Sequence, residues 1–452
     1  MNQSDSEVLE FVAENDVKFV RLSFCDLFGV QKNIAIMAER LPKVFRHGLA
    51  FDASAVAGFG SVECSDLFLM PSKSEPCGLS LMPESSGVAI LPWRPSHERV
   101  MRLYCAVKNP DGSDFEGDSR YILKQAVRRA ADMGYFCRVG TECEFYLFRT
   151  DENEQPTKIP FDRGSYADIT PLDRSENVRR EICLSLEEMG LGPESSHHER
   201  GPGQNEVDFC YSDPLSAADN FLTFKSVAKS IAAQNGLFAS FMPKPLEGEC
   251  GNGMHINLSV LKNGKNLFQA QPQHSEHAES FIQGILERTA EITAFLNPLP
   301  NSYRRLGSFE APGFVSWSHQ NRSQLIRIPA ARSGENLRME LRSPDTACNP
   351  YLAFALLIHA GLEGIEQKKK LAPPCNENLF EAQDYADQNG IRRLPGSLAE
   401  ALELAEGSEF IRRALPERVA SRYLQAKREE WERYQRAEDK EAYDLKHAFL
   451  SE

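Results

Sequence analysis

At 452 residues the chain is longer than one hydrophobic core usually supports, so a small and a large domain are expected. A formal net charge of −14, with no basic run interleaved with aromatics, repels a phosphate backbone and excludes nucleic acid as a partner. Hydrophobic residues at 41% and charged residues at 26% are ordinary globular values, and no run of about eighteen apolar residues could cross a bilayer, so a membrane is excluded as well.

The N-terminal Met1-Asn2-Gln3-Ser4-Asp5 lacks the basic patch and apolar run of a secretory signal, so a cytoplasmic location is expected. The 11 cysteines are odd in number and scattered, without Cys-x-x-Cys or zinc-site spacing, and read as reduced side chains. From about residue 17 to 100, short apolar runs (Val17 to Phe24, Val88 to Leu91, Met101 to Val107) alternate with turn chemistry and predict a small β-rich domain. The loop Asn109-Pro110-Asp111-Gly112-Ser113-Asp114 then precedes an amphipathic helix from Ser119 to Met133, capped by Asp118 or Ser119. The domain boundary is placed there, giving domains 1–107 and 108–452.

Further helices are predicted over Ser175 to Met189, Ala217 to Asn235, Ser275 to Leu296, Pro350 to Gln367 and from Leu398 onward, alternating with strand-like runs. The heavily charged stretch from Ser408 to Arg436 reads as a solvated face with i,i+4 ion pairs. Four strand-like runs are ionic or polar at every second position and apolar between. Glu142 and Glu144 point one way from Gly140 to Phe148, with Cys143, Phe145 and Leu147 on the other side. Glu206-Val207-Asp208-Phe209, His255-Ile256-Asn257-Leu258-Ser259 and Arg338-Met339-Glu340-Leu341-Arg342 repeat the pattern.

One such strand is ordinary for a half-solvated sheet, but four carrying carboxylates, arginines and a histidine point to a site. Clustered glutamates repel unless cations join them, and oxygen ligands with a single imidazole suit Mg²⁺ or Mn²⁺. Arg305, Arg322, Arg327, Arg338 and Arg342 offer planar donors for carboxylate and phosphate. Metals, arginines and an acid substrate together describe phosphoryl transfer. Neither a Walker-type loop nor Gly-x-Gly-x-x-Gly is present, so a nucleotide would be held by side chains on strands. Gly251-Asn252-Gly253, taken alone, reads as a hairpin turn.

His197-His198-Glu199 with Gly203-Gln204-Asn205-Glu206, Phe241-Met242-Pro243-Lys244-Pro245 and Gly253-Met254-His255 resemble the ordered signatures of the type I glutamine synthetase family. Asn301-Ser302-Tyr303-Arg304-Arg305-Leu306, Glu310-Ala311-Pro312, Asn321-Arg322-Ser323, Ile326-Arg327-Ile328-Pro329 and Asn349-Pro350-Tyr351-Leu352 continue the series, from about Val20 to the C-terminal helix. The resemblance implies an α+β fold. A small β-grasp-like N-terminal domain would precede a large catalytic domain, of glutamine synthetase and guanido kinase type, with an antiparallel sheet and surrounding helices.

The activity it implies is ATP-dependent ligation of ammonia to the γ-carboxylate of L-glutamate through γ-glutamyl phosphate, with two or three Mg²⁺ or Mn²⁺ ions per site. By position, Glu144, Glu199 and Glu206 would hold one metal and Glu142, His255 and Glu340 another. Gly251, Arg305 and Arg342 would hold glutamate, Arg322 and Arg327 would face the phosphates, and Glu194, Tyr211, Asn257, Ser259 and Arg338 would line the nucleotide pocket. Asp52 would take the ammonium ion, and Glu310 would be the mobile flap carboxylate that shields the intermediate and accepts a proton. The family resemblance further implies a homododecamer of two stacked hexamer rings, with Asp52 supplied by a neighbouring subunit.

The sequence departs from the pattern at Cys250, in place of an asparagine, at Ala55, in place of a serine, and in a flap, Leu306 to Glu310, one residue short. Ser61 stands where one branch has a feedback arginine, and another branch's adenylylation segment is not recognisable. These departures leave two alternatives: a γ-glutamyl-amine ligase accepting methylamine, ethylamine or a polyamine, and a catalytically silent structural relative.

Overall fold

Alternating apolar residues build a sheet from the first hundred residues. The computed structural model describes residues 5–72, 87–94, 96–269 and 274–452. Strands β1 (Val17–Cys25), β2 (Gln31–Met37), β3 (Leu49–Asp52), β4 (Asp66–Pro71), β5 (Val88–Ile90) and β6 (Arg99–Lys108) pair in the order β2-β1-β6-β4-β3, with β5 also on β6. β1 runs parallel to β6 while the other pairs are antiparallel. Helices α1 (Asp5–Glu14) and α2 (Leu41–His47) contribute Val8, Leu41, Val44 and Phe45 to a core shared with Val20, Leu22, Leu69, Met101 and Val107.

The next helix, α3 (Ser119–Asp132), begins where Asp118 accepts the Arg120 N–H at 3.0 Å, the N-cap role expected of it. Helices α4 (Glu176–Glu188), α5 (Pro214–Gln234), α6 (Glu276–Leu296) and α7 (Pro350–Glu366) follow the apolar periodicity to within a few residues. α5 starts three residues before Ala217 because the Asp213 carboxylate accepts from Leu215 and Ser216 and Pro214 occupies the first turn.

The second sheet is built on β7 (Tyr135–Thr150) and has 10 strands. The others are β8 (Pro156–Pro160), β9 (Pro193–His198), β10 (Gln204–Phe209), β11 (Leu237–Ser240), β12 (Met254–Lys262), β13 (Lys265–Asn266), β14 (Trp317–His319), β15 (Ile326–Ile328) and β16 (Met339–Leu341). The main order is β14-β15-β16-β12-β7-β10-β9, antiparallel except for β14 beside β15. Cys143, Phe145 and Leu147 of β7, with Val207, Ile256, Leu258, Met339 and Leu341, join α5, α6 and α7 in the main core. The opposite face carries the ionic residues.

Asp219 of α5 ties the two sheets together. Its carboxylate accepts Arg120 Nε at 3.1 Å and Nη2 at 3.0 Å and the Tyr351 hydroxyl at 2.6 Å, while its carbonyl accepts from Tyr104 of β6 at 2.9 Å. The charged stretch after Ser408 is solvated on one face only. In the helix Glu417–Arg436, Arg436 pairs with Glu432 at 3.0 Å on the outside, while Val419, Tyr423 and Leu424 are buried and Tyr423 stacks on Phe295 at 4.4 Å. Among the described residues no helix is long and apolar enough to cross a membrane.

Asp118 is the single side chain that both caps α3 and accepts the Val107 N–H of β6, at 3.0 Å. Asp118→Ala should cost about 2–3 kcal/mol, the sum of a lost cap and an unsatisfied buried N–H, whereas Asp118→Asn keeps one acceptor oxygen for the two N–H donors and should cost about half as much. Burial pushes the Asp118 carboxyl up to about 6. Its contribution is therefore greatest below the ordinary carboxylate range and is lost as pH rises through about 6. Thermal midpoints measured from pH 4 to 8 should accordingly show the Asn variant gaining on the parent up to about pH 6, with the difference between them constant above.

Candidate active site

The strand register sets acid against acid. Glu144 of β7 lies opposite Glu206 of β10, Glu142 lies opposite Asp208, and Glu142 faces His255 of β12 on its other side. Asn257 lies opposite Glu340 of β16, and Glu340 opposite Arg327 of β15. Of these side chains, Glu142, Glu144, Glu206, Asp208, His255 and Arg327 open into a cleft of about 410 Å³ whose lining also includes His197, Glu199, Gly251, Arg305, Glu310, Arg322, Arg338 and Arg342.

One half of the cleft is anionic. Oxygen or imidazole atoms of Glu142, His255 and Glu340 come within 4.8 Å of one another, as do those of Glu144, Glu206 and His255, of His197, Glu199 and Glu206, and of Glu142, Glu206 and Asp208. Glu144, Glu199 and Glu206 do not form one such group; Glu206 is shared between Glu144 on one side and Glu199 on the other. Burial, with Asp208, Glu144, Glu142 and Glu199 adding repulsion, pushes the Glu206 carboxyl well above its usual range. Burial also raises Glu144 and Asp208. Glu142 moves the other way: burial opposes its ionisation, but the His255 hydrogen bond at 3.2 Å and the Asn257 amide at 2.9 Å outweigh that and bring it down to about 2.

This donor set fits hard divalent cations. The carboxylates supply oxygen ligands, with His255 at the centre and His197 beside Glu199 and Glu206 as the two imidazoles, and among the described residues the buried Oδ1 of Asp208 has no hydrogen-bond partner. The second oxygen of Asp208 accepts from the Ser195 hydroxyl. His198 stands behind the cluster and cannot serve it. Its Nδ1 meets the Glu199 carbonyl at 2.6 Å and its Nε2 the Asp162 carboxylate at 2.8 Å; burial opposes the charged ring, but these two acceptors outweigh it and raise the imidazole above its usual range.

The other half is cationic. Glu340, fully buried, accepts Arg342 Nη1 at 2.5 Å and Arg327 Nη1 at 2.6 Å. Arg305 is 3% exposed and is held by the Ser343 carbonyl at 2.7 Å and the Arg342 carbonyl at 3.2 Å. Arg338 Nε donates to Asn257 Oδ1 at 2.8 Å, which fixes the Asn257 amide toward Glu142. The Gly251-Asn252-Gly253 segment is more than the turn it resembles in isolation. A Cβ at Gly253 would run into Arg305 Nη2, and one at Gly251 would meet the Pro243 carbonyl and the Arg305 stem. Glycine is required here for close approach, so that the Gly253 N–H can reach Glu144 Oε2 at 2.6 Å.

Outside the cleft lining are Asp52, Glu194, Tyr211, Asn257, Ser259 and Glu340. Glu340 and Asn257 touch lining residues directly, and Ser259 follows Asn257 along the same face of β12. The Tyr211 hydroxyl donates to Asn336 at 2.9 Å, next to the Arg338 strand, and Glu194 is exposed on β9. Asp52 lies exposed at the end of β3, where the Ser54 hydroxyl at 2.6 Å and amide at 2.9 Å hold its carboxyl below the usual range. Sequence reasoning gave no role to Tyr166, whose ring meets His197 edge-on at 5.2 Å, or to Asp208. Asp208 carried a signal in the alternation of β10, while Tyr166 sits in a loop with none.

Residues 16–110 match the family model described as the glutamine synthetase beta-Grasp domain, and residues 116–445 the glutamine synthetase catalytic domain. A protein named glutamine synthetase from Methanosarcina mazei is 48% identical over 433 residues, covering 95% of this chain and 94% of its own. Another of that name from Clostridium saccharobutylicum is 45% identical, covering 95% of each. A solved structure named GmaS/ADP complex superposes with a TM-score of 0.85 at 30% identity, covering 99% of both chains. The Plasmodium falciparum glutamine synthetase structure gives 0.84 at 25% identity, also covering 99% of both.

Because burial and neighbouring carboxylates raise Glu206 well above its usual range, a divalent cation that takes Glu206 as a ligand favours its ionised form and so promotes proton release. Calorimetric titration of Mn²⁺ at pH 7 in buffers of differing ionisation enthalpy should show net proton release. Glu206→Gln should weaken binding by about tenfold or more and abolish most of that release.

Proposed function

The chain belongs to the glutamine synthetase family, and on that premise we propose how its own residues divide the work of forming glutamine from glutamate and ammonia at the cost of ATP. The observation that carries the assignment is the pairing, within one cleft, of an anionic half on β7, β10 and β12 with an arginine half from Arg305 to Arg342. Residues 1–107 would form the small domain and 108–452 the catalytic one.

Glutamate is taken by Arg305 and Arg342, whose guanidinium planes are already braced by backbone carbonyls and so lose little freedom on binding an acid. The Gly251 backbone lies against the Arg305 stem and offers main-chain contacts beside the same substrate. Glu142, His255 and Glu340 would hold one Mg²⁺ or Mn²⁺, and Glu144 and Glu199 would have to close around Glu206, which they already flank, to hold another. Bound there, the metals supply positive charge that offsets the ATP phosphates and the carboxylate approaching them. Arg322 and Arg327 would face the same phosphates, while Arg338, Asn257 and Ser259 beside and along β12, Tyr211 after β10 and Glu194 on β9 would line the nucleotide pocket.

The γ-carboxylate oxygen attacks the γ-phosphorus, ADP leaves, and γ-glutamyl phosphate remains. Ammonia is mostly ammonium at neutral pH, so the second step needs anions that attract the cation and a base that removes its proton. Asp52, kept anionic by Ser54, suits the first task, and Glu310, at the mouth of the cleft, suits the second. The freed amine attacks the acyl carbon and phosphate leaves. Asp52 lies exposed on the small sheet, a position suited to serving a neighbouring subunit's cleft, and we extend the proposal to a dodecamer of two hexamer rings. A cytoplasmic setting suits the described cysteines, all free thiols.

Initial rates of phosphate release from ATP with glutamate and Mg²⁺ should be highest in kcat/KM with ammonium when it is compared with methylamine, ethylamine and putrescine. Asp52→Ala should lower kcat/KM for ammonium by about two orders of magnitude or more, while the KM for ATP stays within about twofold. A higher kcat/KM for an alkylamine would instead make the enzyme a γ-glutamyl-amine ligase. Metal binding without turnover of any amine would make it a silent relative.

A further inference from the structure

We propose that Arg200 is a positioning residue that holds the flap carboxylate of Glu310 over the mouth of the cleft, and so governs capture of the amine. The inference rests on the reading of Glu310 given above. Arg200 follows Glu199 in the turn between β9 and β10. Its backbone N–H donates to Glu199 Oε2 at 3.0 Å, and its Nη2 lies 3.2 Å from Glu310 Oε1. One residue thereby grips a carboxylate of the anionic cluster with its main chain and the flap carboxylate with its side chain.

The flap backbone has other anchors. Lys244 Nζ sits 4.1 Å over the Phe309 ring, Arg342 Nη2 reaches the Glu310 carbonyl at 3.4 Å, and Gly307 and Phe309 adopt φ of 71° and 51°. None of these holds the Glu310 carboxylate itself. That carboxylate lines a cleft already containing Glu142, Glu144, Glu199 and Glu206, each of which in its ionised form pushes it out toward water. Arg200 supplies the opposing attraction at the rim. Its side chain is 59% exposed and that of Glu310 38%, so the pair adds little to global stability and its effect is to select one flap geometry.

The test is steady-state kinetics of the full chain for ammonium, glutamate and ATP in Arg200→Ala, Arg200→Gln, Arg200→Lys, Glu310→Ala and the Arg200→Ala/Glu310→Ala double variant. Removing the guanidinium should lower kcat/KM for ammonium by about tenfold, chiefly through KM, with the KM values for glutamate and ATP within about twofold and the thermal midpoint unchanged. Arg200→Lys should recover a substantial part, and Arg200→Ala should add nothing in the Glu310→Ala background. An unchanged ammonium KM, an equal loss in that background, or parallel rises in all three KM values would each overturn the proposal, the last two because Arg200 would then act through Glu199. If Arg200→Ala does not fold, Arg200→Gln carries the same comparison. A parent enzyme that forms no glutamine would instead defeat the functional reading, which the parent's own rate decides separately.

Discussion

Like charges set face to face in a buried sheet dominate this molecule. Glu144 opposite Glu206 and Glu142 opposite Asp208 are cross-strand pairs that destabilise a sheet when nothing offsets them. The fold offsets them from behind and from the sides. Behind, Cys143, Phe145, Leu147 and Val207 are fully buried against α5, α6 and α7, so register slippage would expose the core before it relieved the repulsion. At the sides, the Gly253 amide reaches Glu144, and Asn257, locked by Arg338, reaches Glu142. What remains uncompensated, such as the orphaned oxygen of Asp208 and the raised Glu206, is the affinity of the cluster for cations.

The same logic explains why the arginine half is braced so heavily. A free arginine facing this many carboxylates would collapse onto them and close the cleft. Arg305 is prevented by the Ser343 and Arg342 carbonyls and by the glycines that admit its stem, and Arg342 and Arg327 are both committed to Glu340. The cleft therefore stays open as two opposed charged walls, each tied to its own strand. Asp219, linking Tyr104, Arg120 and Tyr351, in turn fixes the small sheet that carries Asp52 to the helices backing the large one.

Much of this was readable in the sequence because period-two alternation is a local signal. Strands β7, β10, β12 and β16 declared their ionic faces, and Asp118 declared a helix start. What the alternation could not give is which strands become neighbours: Glu206 standing between Glu144 and Glu199 follows from the β9-β10-β7 order. Gly251 and Gly253 looked like turn residues because the close approach of Arg305, more than fifty residues away, leaves no local trace. Tyr166 and Arg200 were silent for the same reason, since their partners, His197 and Glu310, are brought to them by tertiary structure. The charged C-terminal helix was read for its outer face alone because its buried tyrosine and leucine are sparse among arginines and glutamates.

The departures at Ala55 and in the short flap bear on which amine is used, and the physics is asymmetric. Ammonium and methylammonium carry the same charge, so in the roles proposed for them Asp52 and Glu310 would attract both and could not tell them apart by Coulomb attraction. Selection must come from volume. A site shaped for an alkyl group tolerates ammonia poorly only through lost apolar contact, about 10- to 200-fold per methylene, whereas a site closed around ammonia rejects the larger amine by overlap. The flap here turns back on itself through the left-handed Gly307 and Phe309, with Lys244 over the Phe309 ring and Arg342 on the Glu310 carbonyl. These contacts tie the loop to the arginine wall through the Phe309 ring and the Glu310 carbonyl. A loop that stays tied there during turnover would exclude the larger amines by overlap, whatever room Ala55 leaves in place of a serine.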